Sequence, residues 1–294
     1  MELVTGEDDR GRRLDRILRK ALPDHPLPLI HRLLRQKKVL INGRPAKAQD
    51  RPECGVKISI PSLTGAPKKT LLSSLPLSAD IIWKGPGLIA VNKPCGLAVH
   101  GPQSLDTMVL SYLEDKLPPS LSFKPGPLHR LDKPSSGIVV FSTNLEGARL
   151  FSTLMHERKV RKTYLAVTEG IIKKNEIWQD LLTRDKEKKK TFITDSGGKQ
   201  AVTKITTLAA GDNYSLIKAE ISTGRTHQIR AQAAYHGHPL AGDIKYGSSA
   251  RGGFFLHAWK LEFLEYSIEA PVLNMYPDCL SYQIYKRLSV REPS

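Results

Sequence analysis

Short apolar runs of strand type dominate the chain after residue 79, and helical patterns interrupt them only irregularly. These runs cover residues 81–83, 88–91, 138–141, 163–168, 214–222 and 254–263. Helices are expected after the capping residues Ser104 and Asn144, and a short one from Thr226 to Gly237. Regular alternation of strands and helices would favour a doubly wound parallel sheet. The irregular order instead predicts an α+β fold with a mixed, largely antiparallel β-sheet and flanking helices.

The first 62 residues have a different pattern, which predicts a separate small domain. Apolar residues recur there at helical spacing in two groups: Leu14, Ile17, Leu18, Ala21 and Leu22, then Ile30, Leu33 and Leu34. The dipeptide Asn42-Gly43 then predicts a tight turn between two strands. Residues 63–78 are rich in Ser, Pro, Leu and Thr without any period, which is typical of a linker. We therefore expect a second, larger domain over residues 79–294.

The charge of the chain favours a polyanionic partner. It carries 45 Lys and Arg against 29 Asp and Glu, a formal net charge of +16. Between residues 10 and 60 there are fourteen basic and four acidic residues, and one helix face is basic through Arg32, Arg35, Lys37 and Lys38. This arrangement predicts binding to structured RNA, with a merely solvated basic surface as the alternative. An anionic membrane surface is the second partner class, but no apolar run is long enough to span a membrane.

The cysteines and the first residues favour the cytoplasm. Cys54, Cys95 and Cys279 are odd in number, scattered and outside CxxC spacing, so we expect ordinary thiols in a reducing compartment. Residues 1–9 are acidic and lack the apolar core of a signal peptide. Nothing in the sequence implies an obligate protein partner.

The densest group of reactive side chains covers residues 127–137, directly before an apolar strand. Asp132 lies there between Arg130 and Lys133, on a loop that a rigid element would hold. Its carboxylate could be a nucleophile, a general base or a metal ligand, or it could simply form a surface ion pair.

Two further groups supply candidate partners for this carboxylate. Gly224 allows a tight turn between a strand and a helix, so Arg225 should project from that junction and could hold Asp132 through two parallel hydrogen bonds. His227 and Arg230 follow on the helix, where capping and surface charge are as plausible as catalysis. Tyr164, in a predicted strand, is either a core tyrosine or a ring that stacks on a base.

Four motifs in this order resemble those of the RluA-type pseudouridine synthases. They are His129-Arg130-Leu131-Asp132 with Ser136-Gly137; Lys162-Thr163-Tyr164-Leu165-Ala166; Gly224-Arg225-Thr226-His227-Gln228-Ile229-Arg230 with His238-Pro239-Leu240, Gly242-Asp243 and Tyr246-Gly247; and Leu256-His257-Ala258. Ser135 stands where the family commonly has Thr, and the serine side chain keeps the hydroxyl group. The N-terminal residues resemble the S4 RNA-binding domain in Arg13-Leu14-Asp15, in residues 30–43 and in residues 55–61.

This resemblance implies a function and a set of site residues. It implies an isomerase that converts selected uridines of structured RNA, most of all large-subunit ribosomal RNA, to pseudouridine. Asp132 would be the catalytic carboxylate, Tyr164 the stacking and proton-handling ring, and Arg225 the partner of Asp132. Leu256 would form part of the apolar wall, and Arg130 would fill the space that the target base leaves. Because the isomerisation consumes no electrons, phosphate or water, no cofactor is expected.

Two rival hypotheses stay open at the level of sequence. A metal-dependent RNA hydrolase would need several side chains to gather around an ion, chosen from His129, Asp132, His227, His236, His238 and Asp243. A non-catalytic RNA-binding protein would keep the same modules with an inactive site. The presence of Asp132, Tyr164 and Arg225 argues against the second hypothesis.

Overall fold

A computed structural model of the chain describes residues 1–61, 75–211, 213–272 and 284–286. Most of the predicted linker 63–78, and Cys279, lie outside these residues. Within the described ranges, every helix is too short or too polar to cross a membrane.

The N-terminal part is a small sheet covered by two helices. Its elements are β1 (Glu2–Val4), α1 (Leu14–Ala21), α2 (Leu27–Arg35), β2 (Leu40–Ile41), β3 (Arg44–Pro45) and β4 (Lys57–Ser59). The strands pair in the antiparallel order β1-β4-β2-β3. Leu14, Leu18, Ile30, Leu34 and Ile58 pack into one buried cluster. The two predicted helical patterns thus form helices whose apolar faces meet over the sheet.

The larger part is built on one extensive sheet. Its strands are β5 (Asp80–Gly85), β6 (Leu88–Lys93), β7 (Gly126–Pro127), β8 (Ser136–Ser142), β9 (Arg161–Glu169), β10 (Glu176–Asp185), β11 (Lys190–Thr194), β12 (Lys199–Gly211), β13 (Tyr214–Ile221), β14 (Leu256–Phe263) and β15 (Tyr266–Glu269). The main order is β11-β10-β12-β13-β9-β14-β8-β6-β5, with β15 beside β14 and β7 beside β8. Among the described residues, β8 and β14 form the one parallel pair. The prediction of a mixed, largely antiparallel sheet is therefore confirmed.

Three helices flank this sheet: α3 (Leu105–Leu113), α4 (Leu145–His156) and α5 (Gln228–Tyr235). Side chains alternate between the two faces of a strand, so each face has its own core. Val139 and Phe141 of β8 belong to a core that includes residues of α3 and α5. Ile138 and Val140 belong to the opposite core, where α4 packs. Ser104 and Asn144 cap α3 and α4 through their side chains, as predicted.

Sequence patterns missed part of the sheet. Strands β10, β11 and β12 had not been predicted, and the charged stretch 185–190 forms the turn that joins β10 to β11. Exposed and half-buried residues dominate β10, where only Trp178 and Leu182 are fully buried. An apolar pattern with two buried positions in ten residues is too weak to identify a strand.

Candidate active site

The neighbouring strands β13, β9, β14 and β8 bring the predicted motifs together over one face of the large sheet. Asp132 precedes the start of β8, and Leu256 begins β14, which runs parallel to β8. Tyr164 on β9 pairs with Ala258 of β14. Strand β13 is antiparallel to β9, and its last residue, Ile221, lies beside Lys162, two residues from Tyr164. Four segments that are far apart in sequence thus share one pocket.

The backbones of β8 and β14 approach each other closely beside the pocket. Gly137 has a φ of +104°, and a Cβ atom there would lie 2.3 Å from the carbonyl oxygen of Ala258. Only glycine fits such a position. The motif that carries Asp132 therefore needs Gly137 for backbone contact, not for chemistry.

A buried lysine, Lys93, holds the loop that carries Asp132 through hydrogen bonds to backbone carbonyl oxygens. The Nζ atom of Lys93 donates to the carbonyl oxygens of Pro94, Leu97 and Lys133 at 2.9, 2.7 and 3.2 Å. Its side chain has no solvent exposure, and this burial lowers the pKa of Lys93 to about 8. Sequence reasoning missed this residue, whose one signal was a lysine at the end of the apolar run 88–91.

Arg230, rather than Arg225, holds the Asp132 carboxylate. The Nη1 atom of Arg230 donates to Oδ2 of Asp132 at 3.0 Å. Its Nε and Nη2 atoms donate to the two oxygens of Asp243 at 2.6 and 2.8 Å. The guanidinium also lies over the rings of Tyr246 and Phe254, at 4.9 and 4.5 Å from their centroids. Arg230 is 6% exposed, which excludes surface charge, one of the two roles left open for it.

The predicted pairing of Arg225 with Asp132 is absent among the described contacts, and this guanidinium bonds the backbone instead. The Nε atom of Arg225 donates to the carbonyl oxygen of Gln200 at 3.1 Å. Gln228 fixes the turn, since its Oε1 atom accepts hydrogen bonds from the backbone N–H of Arg225 and from the Thr223 hydroxyl. Arg230, one turn into α5, is therefore the arginine that meets the carboxylate. Arg225 still lines the pocket.

His227 contacts the same carboxylate oxygen from a strained backbone position. Its φ is +54°, in the left-handed region that non-glycine residues seldom adopt. Its Nε2 atom is 3.5 Å from Oδ2 of Asp132. Burial lowers the pKa of His227, although the nearby Asp132 opposes this effect. The ring is therefore neutral near pH 7.

A chain of hydrogen bonds reaches Nδ1 of His227. The backbone N–H of Thr191 donates to the Tyr246 hydroxyl at 2.9 Å, and that hydroxyl is 2.8 Å from Nδ1 of His227. Burial raises the pKa of Tyr246, so the hydroxyl keeps its proton. The other ring nitrogen of His227, Nε2, faces Asp132.

The remaining predicted residues line the same pocket. Tyr164 is 8% exposed, and burial, aided by the charge of Asp132, raises the pKa of its hydroxyl far above neutrality. Leu256 is buried at the wall, whereas Arg130 is exposed. The Ser135 hydroxyl is buried in the pocket lining and has no hydrogen-bond partner among the described residues. It is therefore available to a ligand.

The histidines named for a metal site are dispersed and bonded elsewhere. Nε2 of His129 accepts the backbone N–H of Val140, and burial lowers the pKa of this histidine to about 3. His236 pairs with Asp180, and His238 bonds the carbonyl oxygen of Glu169. In the described parts of the chain, no three His, Cys, Asp or Glu side chains converge in a way that could hold a metal ion.

Comparison with known proteins agrees with this geometry. The family model for RNA pseudouridylate synthase matches residues 87–235. A protein of Neisseria meningitidis serogroup B named ribosomal large subunit pseudouridine synthase D is 32% identical, over 95% of this chain and 79% of that protein. Ribosomal large subunit pseudouridine synthase C of Vibrio vulnificus is 30% identical, over 90% of this chain and 89% of that protein.

Solved structures give the same fold. The structure of human RNA pseudouridylate synthase domain containing 1 aligns with a TM-score of 0.57 and 24% identity, covering 74% of this chain and 98% of that one. Together with the family match over half of the chain, these likenesses place the protein: it belongs to the RNA pseudouridylate synthase family.

Proposed function

We propose that this enzyme isomerises specific uridines of large-subunit ribosomal RNA to pseudouridine, with Asp132 as its essential carboxylate. The observation that carries the proposal is the pocket in which Asp132, held by Arg230, lies with Tyr164 and Leu256. Two relatives named for the large ribosomal subunit support the choice of RNA. With this substrate, we expect the enzyme to work in the cytoplasm.

The reaction exchanges one bond of the ribose for another. The bond from C1′ to N1 of uracil breaks, the base rotates, and C1′ bonds to C5. The proton on C5 leaves and N1 gains one, so atoms balance without an oxidant or a hydrolytic water. Asp132 could add to C6 of uracil, attack C1′, or assist departure of the base while a proton leaves C2′.

The contacts of Asp132 favour one of its two oxygens for this work. Arg230 and His227 both contact Oδ2. Oδ1 has no hydrogen-bond partner in the part of the chain that the structure describes. With Oδ2 held by a buried guanidinium, Oδ1 is the oxygen that would face the nucleotide, and its position would be fixed before substrate binds.

Tyr164 would act as a protonated phenol. Because its pKa is strongly raised, the hydroxyl keeps its proton and can donate a hydrogen bond but cannot serve as a phenolate base. Its ring and Leu256 supply an apolar wall against which uracil can stack.

Access to the uridine requires that it leave its stack, which costs a few kcal/mol. We assign Arg130, exposed at the pocket, to the space that the base vacates. The N-terminal residues 1–62, interpreted as an S4-like domain, would bind RNA near the target. The side chains of Arg32, Arg35, Lys37 and Lys38 are all exposed for such contacts.

Release of tritium from C5-labelled uridine tests the proposal. Purified enzyme should release tritium from a large-subunit ribosomal RNA transcript, and Asp132→Asn should not. Chemical mapping of pseudouridine in the product should then identify discrete positions. Release from transfer RNA but not from ribosomal RNA would refute the substrate, and absence of release from both would refute the activity.

A further inference from the structure

A second concave surface, which shares no lining residue with the catalytic pocket, lies between α1 and the larger part of the molecule. We call it the basic groove. It is lined by Arg12, Arg16, Arg19, Lys20, Pro23, His25, Leu27 and Lys124. Five of these eight residues are permanently cationic, and none is acidic.

Three cations of the basic groove have no ion-pair partner within the described fold. Arg16, Arg19 and Lys20 are exposed and form no ion pair with a described residue. They lie three and four residues apart on α1, so like charges adjoin on one helix face, which destabilises a helix. The dipole of α1 offsets part of this repulsion, since Arg19 and Lys20 lie in its last turn, but the three unpaired charges remain exposed and available to an external anion.

Neighbouring positive charges in and beside the basic groove affect the pKa of Arg12. Burial, the positive charge of Arg149 on α4 and the charge of Arg16 lower the pKa of Arg12, against the opposing effect of Asp9. The larger part therefore adds to the positive potential of the groove through Arg149 as well as Lys124. The surface is composite, and neither part forms it alone.

The walls of the basic groove are fixed by a buried carboxylate. Asp9 has no solvent exposure and accepts hydrogen bonds from the backbone N–H groups of Leu121 and Ser122 at 2.8 and 2.9 Å, and from the Ser120 hydroxyl at 3.0 Å. Arg12 donates through Nη1 to the Ser122 hydroxyl at 2.9 Å. Since Lys124 follows two residues later, α1 and Lys124 are held in a defined relation.

We propose that the basic groove binds the phosphate backbone of the RNA substrate outside the target nucleotide. The inference rests on the proposed function and specifies where the substrate lies. Five cations spread along an open groove suit the repeated charges of a polynucleotide. Lys124 is eight residues from Asp132, so the two lie at most about 28 Å apart even in an extended chain. One folded RNA can therefore contact both.

This surface differs from the one expected from sequence. None of the four cations of the predicted basic face, Arg32, Arg35, Lys37 and Lys38, lines the groove. RNA that follows the groove would contact α1 and the larger part together. Binding there would orient the RNA relative to the active site, which a module on a free linker could not do.

The salt dependence of RNA affinity tests the proposal. The groove variant replaces Arg16, Arg19 and Lys20 with Gln, a good helix former, and the matched control replaces the exposed Lys173, Lys174 and Lys199 with Gln. Both remove three positive charges. A large-subunit ribosomal RNA fragment is titrated between about 50 and 200 mM salt.

We expect the slope of log Kd against log salt to fall by about 0.7–0.9 for each phosphate that the protein no longer neutralises, hence by roughly 2–3 in the groove variant. Lys124→Gln should lower it by about one such step, and the control should leave it unchanged. A variant with Arg16 and Arg19 replaced by Lys should keep the wild-type slope, which separates removal of charge from misfolding.

Equal slopes for the groove variant and its control would overturn the proposal. This result is also the one expected if the groove binds an acidic protein instead of RNA. Such a result with normal tritium release would refute the groove alone. A wild-type protein that releases no tritium from this RNA would refute the proposed function, whatever the slopes.

Discussion

Replacement of Arg230 by Lys should slow catalysis strongly, because one ammonium group cannot serve two carboxylates. Arg230 gives Nε and Nη2 to Asp243 and Nη1 to Asp132. Asp243 is only 2% exposed, and a buried carboxylate without a partner is strongly destabilising. The lysine ammonium should therefore pair with Asp243, and Asp132 should be left without its hydrogen-bond donor.

The magnitude follows from the hydrogen bond that Asp132 would no longer accept. A hydrogen bond between charged groups contributes about 1.5–3 kcal/mol. Since about 1.4 kcal/mol corresponds to tenfold in rate, Arg230→Lys should lower the single-turnover rate roughly 10- to 150-fold. RNA affinity should hardly change, because the guanidinium is buried beneath the pocket.

Arg225→Lys is the matched control within the same motif. Arg225 gives its Nε to the carbonyl oxygen of Gln200, a bond that an ammonium group can replace. Its single-turnover rate should stay within a few-fold of wild type. Tritium release from C5-labelled uridine measures both variants, beside their melting temperatures. Equal reductions in the two variants, or a rate for Arg230→Lys within threefold of wild type, would refute the positioning role of Arg230.

Three further predictions concern other parts of the molecule. Asp132→Asn should abolish tritium release and preserve RNA affinity, and measurable turnover would exclude Asp132 as the essential carboxylate. Burial raises the pKa of Asp9, but hydrogen bonds from Ser122, Gly6 and Leu121 outweigh this effect and lower the pKa. The ionised carboxylate therefore contributes fully to the free energy of unfolding above the ordinary carboxyl pKa of about 3.9, and this contribution is lost as the pH falls below that value. Asp9→Asn should lower the free energy of unfolding at pH 7 by about 1.5–3 kcal/mol, and denaturant titrations at pH 7 and pH 3 should show a smaller pH dependence than wild type. Gly137→Ala should destabilise the enzyme by about 1–3 kcal/mol in thermal unfolding, whereas Gly126→Ala, where a Cβ meets nothing within 4 Å, should be near neutral.

The sequence predicted the catalytic pocket because short motifs identify its residues. The order of the strand-like runs predicted the mixed sheet, and the resemblance of the motifs to one family implied a site that contains Asp132, Tyr164 and Leu256, which do line one pocket. Strands β10–β12 were not predicted, since their pairing depends on partners that lie apart in sequence and few of their side chains are buried.

The choice between two arginines of one motif was beyond local reasoning. Asp132 is 98 residues from Arg230 in sequence, and nothing in the segment 224–230 indicates which guanidinium will face it. The rotation of α5 decides the matter, and Gln228 fixes that rotation through bonds to Thr203 and Thr223. These bonds depend on the packing of α5 against β12 and the end of β13.

The roles of the acidic residues near the N-terminus also depend on partners that are distant in sequence. In a chain of net charge +16, Asp8 and Asp9 were interpreted only as evidence against a signal peptide. In the structure, Asp8 accepts the backbone N–H of Leu145 at 2.6 Å, and Asp9 is buried against residues 120–122. Because these partners lie more than a hundred residues away, no local pattern could reveal them. The two carboxylates join the small part of the molecule to the large one, and Arg16, Arg19 and Lys20 beside this junction are left exposed, where a polyanion can bind them.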